Sequence, residues 1–293
     1  MHRTLPLIAV NGIIDAQVSP LDRGFNYGDG VFETCKMTNA KISLWKFHSE
    51  RLLNSCKKLN IPVDLNVIEV QLAKLVLAVD KVDVNSAIIK IIVTRGQGGR
   101  GYGISNVSNP TIVIGIFPAA QYPDFYFSEG VNVRLCNQRL SCNKNLAGLK
   151  HLNRLEQILA RSEWQDENIA EGIVLDVNDN VIEAVFSNIF FIKGGELFTP
   201  DLSEAGVAGV MRRFIIEIVA PEARVDIYIK KCALKDLINA DEVFLCNSNY
   251  GIWPVKKIIA DKVHEFNASP ITYKLQNVLN QSLYELSLSK PFV

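Results

Sequence analysis

The way the apolar runs of this chain are joined constrains its fold more than any other feature. Residues 7–10 and 13–16 flank Asn11-Gly12, a dipeptide suited to the left-handed backbone of a tight hairpin turn. A second short pair flanks Asn39-Ala40-Lys41. Residues 173–176 and 181–183 bracket Val177-Asn178-Asp179-Asn180, and residues 189–192 and 196–198 bracket Lys193-Gly194-Gly195. Strands that arrive in hairpins pair with their neighbours in sequence, so strand and helix do not alternate as a Rossmann or barrel fold requires. The pattern predicts an α+β chain of two domains, each with a largely antiparallel or mixed sheet.

Other elements follow from periodicity. Residues 47–60 read as a helix with Leu52, Leu53, Cys56 and Leu59 on one face, and residues 65–79, 209–219 and 271–286 as further helices. Residues 87–94, 111–117, 131–135 and 242–246 read as strands. Apolar periodicity stops over residues 118–130, where Pro118, Pro123 and several aromatics collect. The expected organisation is a smaller N-terminal α/β domain over 1–120, an interdomain segment over 121–134 and a larger domain over 135–293.

Composition narrows the function classes. With 31 Lys plus Arg against 31 Asp plus Glu the formal charge is zero, which argues against a broad basic face for nucleic acid while leaving room for one basic pocket. No apolar run reaches membrane-spanning length, and the start of the chain reads as a first strand, not as a signal peptide. Cys35, Cys56, Cys136, Cys142, Cys232 and Cys246 form no CxxC pair, which suits reduced thiols in a cytoplasmic protein. The four histidines do not cluster with them in sequence, so no metal site is expected.

Several positions could carry chemistry. In Gly148-Leu149-Lys150-His151-Leu152-Asn153-Arg154-Leu155-Glu156-Gln157 a glycine precedes a lysine at the edge of an expected helix, with Leu152, Leu155 and Leu159 as its buried stripe. Lys150 is then either an amine held in a cleft for Schiff-base chemistry or a solvated residue of the first turn. Glu183, ahead of Ala184-Val185-Phe186-Ser187-Asn188, is a half-buried acid whose partner is either a cationic ring nitrogen or a nearby arginine. Ala208-Gly209-Val210-Met211-Arg212 opens a helix whose free amides hold either a phosphate or water. Ser248 adds a hydroxyl to a ligand or to its own turn. The loop Arg95-Gly96-Gln97-Gly98-Gly99-Arg100-Gly101-Tyr102-Gly103 does not open a helix and so is no Rossmann fingerprint; it cradles an anion through Arg100 or is an ordinary exposed loop. Gly28-Asp29-Gly30 marks a tight turn entering a strand.

Taken together and in order from Asn11 to Val255, these pieces resemble the fold-type IV pyridoxal-phosphate enzymes, which include D-amino-acid and branched-chain aminotransferases and aminodeoxychorismate lyases. The likeness rests on Asp22-Arg23-Gly24-Phe25-Asn26-Tyr27-Gly28-Asp29-Gly30-Val31-Phe32-Glu33-Thr34, His48-Ser49-Glu50-Arg51-Leu52, Val181-Ile182-Glu183-Ala184-Val185-Phe186-Ser187-Asn188-Ile189-Phe190 and Ala208-Gly209-Val210-Met211-Arg212. The resemblance implies a two-domain, D-amino-acid-aminotransferase-like fold, with the larger domain binding the cofactor, pyridoxal 5′-phosphate. It implies that Lys150 carries the cofactor, that Glu183 faces its ring nitrogen, and that Arg51, the amides of Val210 and Met211, and Ser248 hold its phosphate. It also implies a homodimer.

Within that group the strings from Thr94 to Tyr102 and from Ala147 to Gln157 are most similar to the lyases. Arg100 matches the arginine that holds a substrate carboxylate in D-amino-acid aminotransferases, but Tyr102 stands where those carry a histidine. The implied activity is conversion of 4-amino-4-deoxychorismate to 4-aminobenzoate and pyruvate in folate biosynthesis, with Arg100 and Tyr102 on the substrate and Thr34 or Tyr102 assisting proton delivery. The rival expectations are a D-amino-acid or branched-chain aminotransferase, a pyridoxal-phosphate-binding protein without catalysis, and a scaffold without cofactor.

Overall fold

The computed structural model describes residues 4–79, 85–98, 101–104, 109–266 and 269–287. It divides into two compact units, one comprising Met1–Gln121, Lys150–Asn153 and Glu285–Val293, the other Tyr122–Leu149 and Arg154–Tyr284. Among the described residues no helix is long and apolar enough to cross a membrane.

The first unit is built on β1 (Leu7–Val10), β2 (Ile13–Ile14), β3 (Gly30–Thr38), β4 (Lys41–Ile42), β5 (Ala87–Thr94) and β6 (Thr111–Pro118). They form one antiparallel sheet in the order β2-β1-β6-β5-β3-β4. The Asn11-Gly12 hairpin forms as expected, with both residues at positive φ and Val10 opposite Ile13. The short α1 (Arg23–Tyr27) precedes β3; α2 (Trp45–Lys58) and α3 (Leu65–Ala78) follow β4. Asp64 caps α3 by accepting from the Asn66 amide, and Ile68, Leu72, Leu75 and Val76 give that helix a buried stripe. The stripe joins Leu52 and Cys56 of α2 and the inward residues Val31, Cys35, Met37, Ile89, Ile91 and Ile114 in one core. Each large aliphatic side chain buried there contributes roughly 1.5–3 kcal/mol.

The second unit holds a mixed sheet of β7 (Val131–Leu140), β8 (Ile169–Asp176), β9 (Asn180–Ala184), β10 (Asn188–Lys193), β11 (Glu196–Pro200), β12 (Ile227–Lys230), β13 (Cys232–Ala233), β14 (Glu242–Asn247), β15 (Gly251–Ile259) and β16 (Val263–Glu265). Its order is β12-β11-β10-β14-β15-β7-β8-β9-β13, with β16 added to β15. Both expected hairpins, β8–β9 and β10–β11, are antiparallel neighbours. The parallel pairs are β7 with β8, β7 with β15, and β11 with β12. Around the sheet lie α4 (Phe125–Ser128), α5 (Leu155–Arg161), α6 (Val210–Phe214), α7 (Ala220–Glu222), α8 (Leu234–Ile238) and α9 (Pro270–Ser287). The helix expected over 209–219 is α6, a wider π turn at Ile215–Val219, and α7 in continuous succession.

Candidate active site

The segment around Lys150 departs from its expected form. Lys150–Asn153 does not lie in a helix; it lies along the start of β3. The Phe32 amide donates to the Lys150 carbonyl at 2.9 Å, the Leu152 amide to the Gly30 carbonyl at 3.0 Å, and His151 bridges to Val31. The Lys150 ammonium stands 4.4 Å from the centre of the Phe32 ring. The helix begins only at Leu155, and the expected leucine stripe is not buried: Leu155 is 73% exposed and Leu159 54%. Ala160 is the buried residue of α5, and Glu156 accepts from the amide and hydroxyl of Ser141. Leu152 lies outside the helix, and spacing gave only Leu155 and Leu159 a common face without showing what covers it.

Thr34 follows Phe32 on the same face of β3, opposite Lys90. The other face carries Glu33, fully enclosed beneath α2. Arg51 of α2 grips both Glu33 oxygens, through Nε to Oε1 at 2.7 Å and through NH2 to Oε2. His48, one helical turn earlier, approaches Oε2 through Nδ1 at 2.6 Å. Burial pushes the Glu33 carboxyl up, but the charge of Arg51 and the bonds from His48 and Arg51 outweigh it and hold the group at about 2. Burial lowers the His48 pKa against the pull of Glu33. Its Nε2 has no hydrogen-bond partner among the described residues, so the neutral ring carries its proton on Nδ1.

This cluster brings a histidine beside a cysteine, which sequence spacing did not suggest: ligand atoms of Glu33, Cys35 and His48 lie within 4.8 Å of one another. The fold does this because Cys35 is two residues along β3 from Glu33 and α2 packs over that strand. With both Glu33 oxygens engaged by Arg51, the group is an ion-pair cluster centred on a guanidinium.

In the second unit Glu183 is buried at the end of β9, and its Oε2 accepts the Val207 amide at 2.8 Å. Arg154 is electrostatically coupled to it: burial lowers the guanidinium pKa and Glu183 opposes that fall. The arginine expected as one possible partner is therefore present. Asn188, which sequence reasoning passed over, donates through Nδ2 to the Val207 carbonyl at 2.9 Å. Val207 is thus gripped at its amide and at its carbonyl by residues on either side of one turn. Two residues later Gly209 precedes α6 with no side-chain cap. A Cβ there would fall 1.8 Å from the Asn188 Oδ1, so any side chain at the start of α6 displaces the Asn188 amide.

Ser248 lies in the turn between β14 and β15. That turn is closed by Asn247, whose Oδ1 accepts from the amides of Asn249 and Tyr250 at 2.9 and 3.1 Å. Tyr102 is 85% exposed and meets Tyr27 edge-on at 5.6 Å. Its loop is tied to Arg23, whose NH1 donates to the Gly101 carbonyl at 2.9 Å while Nε holds Asp29 at 2.8 Å. Asp29 also takes Arg95, which gives the Gly28-Asp29-Gly30 turn a structural task. Arg100 lies outside the described residues.

Residues 30–258 match the family described as amino-transferase class IV. The aminodeoxychorismate lyase of Vibrio harveyi is 38% identical over 275 residues, covering 92% of this chain and 98% of that protein. The crystal structure of the 4-amino-4-deoxychorismate lyase of Pseudomonas aeruginosa is 41% identical, with a TM-score of 0.87, 94% of this chain covered and 98% of that one. A putative branched-chain-amino-acid aminotransferase of Methanocaldococcus jannaschii is 30% identical, with 89% and 90% covered. This chain belongs to the class IV aminotransferase family.

Proposed function

We propose that this chain is an aminodeoxychorismate lyase: with pyridoxal 5′-phosphate as cofactor it converts 4-amino-4-deoxychorismate to 4-aminobenzoate and pyruvate. The observation that carries the reading is likeness to lyases from two organisms over more than nine-tenths of this chain, at about two-fifths identity. The residues present fit the cofactor. A buried acid, Glu183, suits a protonated ring nitrogen, and an uncapped glycine-led helix start offers amides to a phosphate.

Bound pyridoxal 5′-phosphate supplies an electron sink attached to the substrate amine. Lys150 would hold the cofactor and, as an amine, would take the proton from the amine-bearing ring carbon of the substrate. Glu183 keeps the proton on the cofactor ring nitrogen. Arg51, Ser248 and the amides of Val210 and Met211 bind the phosphate. Arg100 and Tyr102 grip a substrate carboxylate, and Thr34 or Tyr102 assists proton delivery. Loss of that proton and of enolpyruvate leaves the ring aromatic, and enolpyruvate becomes pyruvate. The proposal includes a homodimer, for which the exposed Leu155, Ile158 and Leu159 of α5 offer an apolar face, and a cytoplasmic location, in keeping with six free thiols.

The test is to incubate purified protein with 4-amino-4-deoxychorismate and follow 4-aminobenzoate. D-alanine or a branched-chain amino acid with 2-oxoglutarate runs in parallel, because the Methanocaldococcus relative favours a transaminase as the second reading. Formation of 4-aminobenzoate at a rate well above any transamination supports the lyase. Amino transfer without 4-aminobenzoate overturns it, and neither product from cofactor-loaded protein favours binding without catalysis.

A further inference from the structure

We propose that Glu171 is a positioning residue for Glu183: its carboxylate fixes the turn that sets Glu183 in place. Glu171 lies on β8 and is completely buried. Its Oε1 accepts from the amides of Gly172 at 3.0 Å and Val185 at 3.1 Å. Its Oε2 accepts from the Phe186 amide at 3.0 Å and the Ser187 hydroxyl at 2.8 Å. Three of these four donors are consecutive residues of the turn joining β9 to β10, which begins immediately after Glu183 and Ala184. The turn is closed on itself by the Ala184 amide, which donates to the Ser187 carbonyl at 2.7 Å. Behind Ser187 stands Tyr250, whose hydroxyl donates to the Ser187 oxygen at 2.7 Å and whose ring stacks on Trp253 at 3.6 Å.

Burial pushes the Glu171 carboxyl up to about 8 although all four donors oppose that rise, so the ionised form, which alone offers an acceptor to each of them, predominates above that pH. The Val185 amide is shared with the Gly172 carbonyl at 3.0 Å, so an apolar residue at this position would cost it one of two acceptors while depriving the Phe186 amide and the Ser187 hydroxyl of theirs. The consequence reaches Glu183 by one route. The backbone leaving Glu183 enters a turn that Glu171 holds by both oxygens, and the Glu183 carboxylate at its start is directed at the Val207 amide.

The inference rests on the reading of Glu183 as the acid on the cofactor ring nitrogen, and its test separates the two. At pH 9, where Glu171 is ionised, pyridoxal 5′-phosphate is titrated into cofactor-free wild type, Glu171→Gln, Glu183→Gln and the double variant, reading the dissociation constant, the visible band of the bound cofactor and the melting temperature of the free protein. Glu171→Gln turns an amide N–H toward amide or hydroxyl donors and is expected to weaken cofactor binding on the order of tenfold. In the Glu183→Gln background the same change adds less than about twofold, because its effect passes through Glu183. Binding within twofold of wild type for Glu171→Gln, or effects that multiply in the double variant, overturns the inference. A Glu183→Gln protein with unchanged affinity and band overturns the reading of Glu183 itself, and that arm does not involve Glu171. If Glu171→Gln fails to fold, Ser187→Ala keeps the carboxylate, removes one donor and carries the same cycle with an expected shift of about threefold; an unchanged constant there counts against the inference.

Discussion

Replacement of Glu33 by glutamine tests whether the Glu33–Arg51–His48 cluster supports the first unit electrostatically. The Glu33 carboxyl is completely buried and titrates at about 2 instead of 4.5. At about 1.4 kcal/mol per pKa unit, that fall corresponds to about 3 kcal/mol of stability at neutral pH. The folded value lies below the unfolded one, so the contribution is fully present above pH 4.5 and is lost as pH falls toward about 2. His48 acts in the same sense: its pKa is lowered from 6.5, so the stability it adds is present above 6.5 and declines as the pH drops below it. Glutamine preserves the shape of Glu33 but leaves the Arg51 guanidinium without its counter-charge in a nearly enclosed site, a loss of about 3–5 kcal/mol in comparable buried pairs.

Urea unfolding of cofactor-free protein, followed by tryptophan fluorescence, reads the difference. Trp45 packs against the core of this unit and reports on it. At pH 7 Glu33→Gln is expected to be less stable by about 3 kcal/mol. Near pH 3 the gap narrows to about 1 kcal/mol, because wild type has itself lost most of the contribution. A gap below about 1 kcal/mol at pH 7, or one that does not narrow in acid, refutes the account of a carboxylate held ionised by Arg51.

Three further outcomes are expected. Borohydride reduction of the cofactor-loaded protein fixes the cofactor to a single peptide containing Lys150; a label elsewhere removes Lys150 from its proposed role. Gly209→Ala places a methyl 1.8 Å from the Asn188 Oδ1, so the Asn188–Val207 bond must break and cofactor affinity falls roughly tenfold; an unchanged dissociation constant shows that this grip is dispensable. Tyr102→His, tested with D-alanine and 2-oxoglutarate, is expected to raise transamination measurably over wild type, and no change means that the choice of reaction is not made at Tyr102.

The parts of this molecule that were legible in the sequence are those whose cause is local. Asn11-Gly12 forms its hairpin because two adjacent residues accept positive φ, and α3 forms because Asp64 caps a stripe that repeats on a helical period. The Lys150 segment was misjudged for the opposite reason. Its backbone partners are Gly30, Val31 and Phe32, far away in sequence, and no periodicity announces a strand-like stretch that borrows its ladder from so distant a neighbour. The exposed Leu155 and Leu159 carry the same lesson, since spacing assigns a face to a helix but not a partner to the face.

Glu171 was invisible on different grounds. An acid read alone in Ile169-Ala170-Glu171-Gly172-Ile173 suggests a surface position or a salt bridge, because sequence reasoning looks for a side chain of opposite charge. The partners here are backbone amides, which every residue but proline possesses and which therefore leave no trace in composition or spacing. One signal was nevertheless available. Strand β8 is otherwise apolar from Ile173 to Leu175, and its hairpin partner β9 ends in a second acid, Glu183, followed by a turn with no glycine or proline to set its shape. A turn of that kind, Ala184-Val185-Phe186-Ser187, has to be held from outside. An acid on the neighbouring strand that can accept several amides at once is the most economical way to hold it, and under the proposed function Glu171 and Glu183 form one arrangement: the first acid shapes the backbone from which the second would face the cofactor ring.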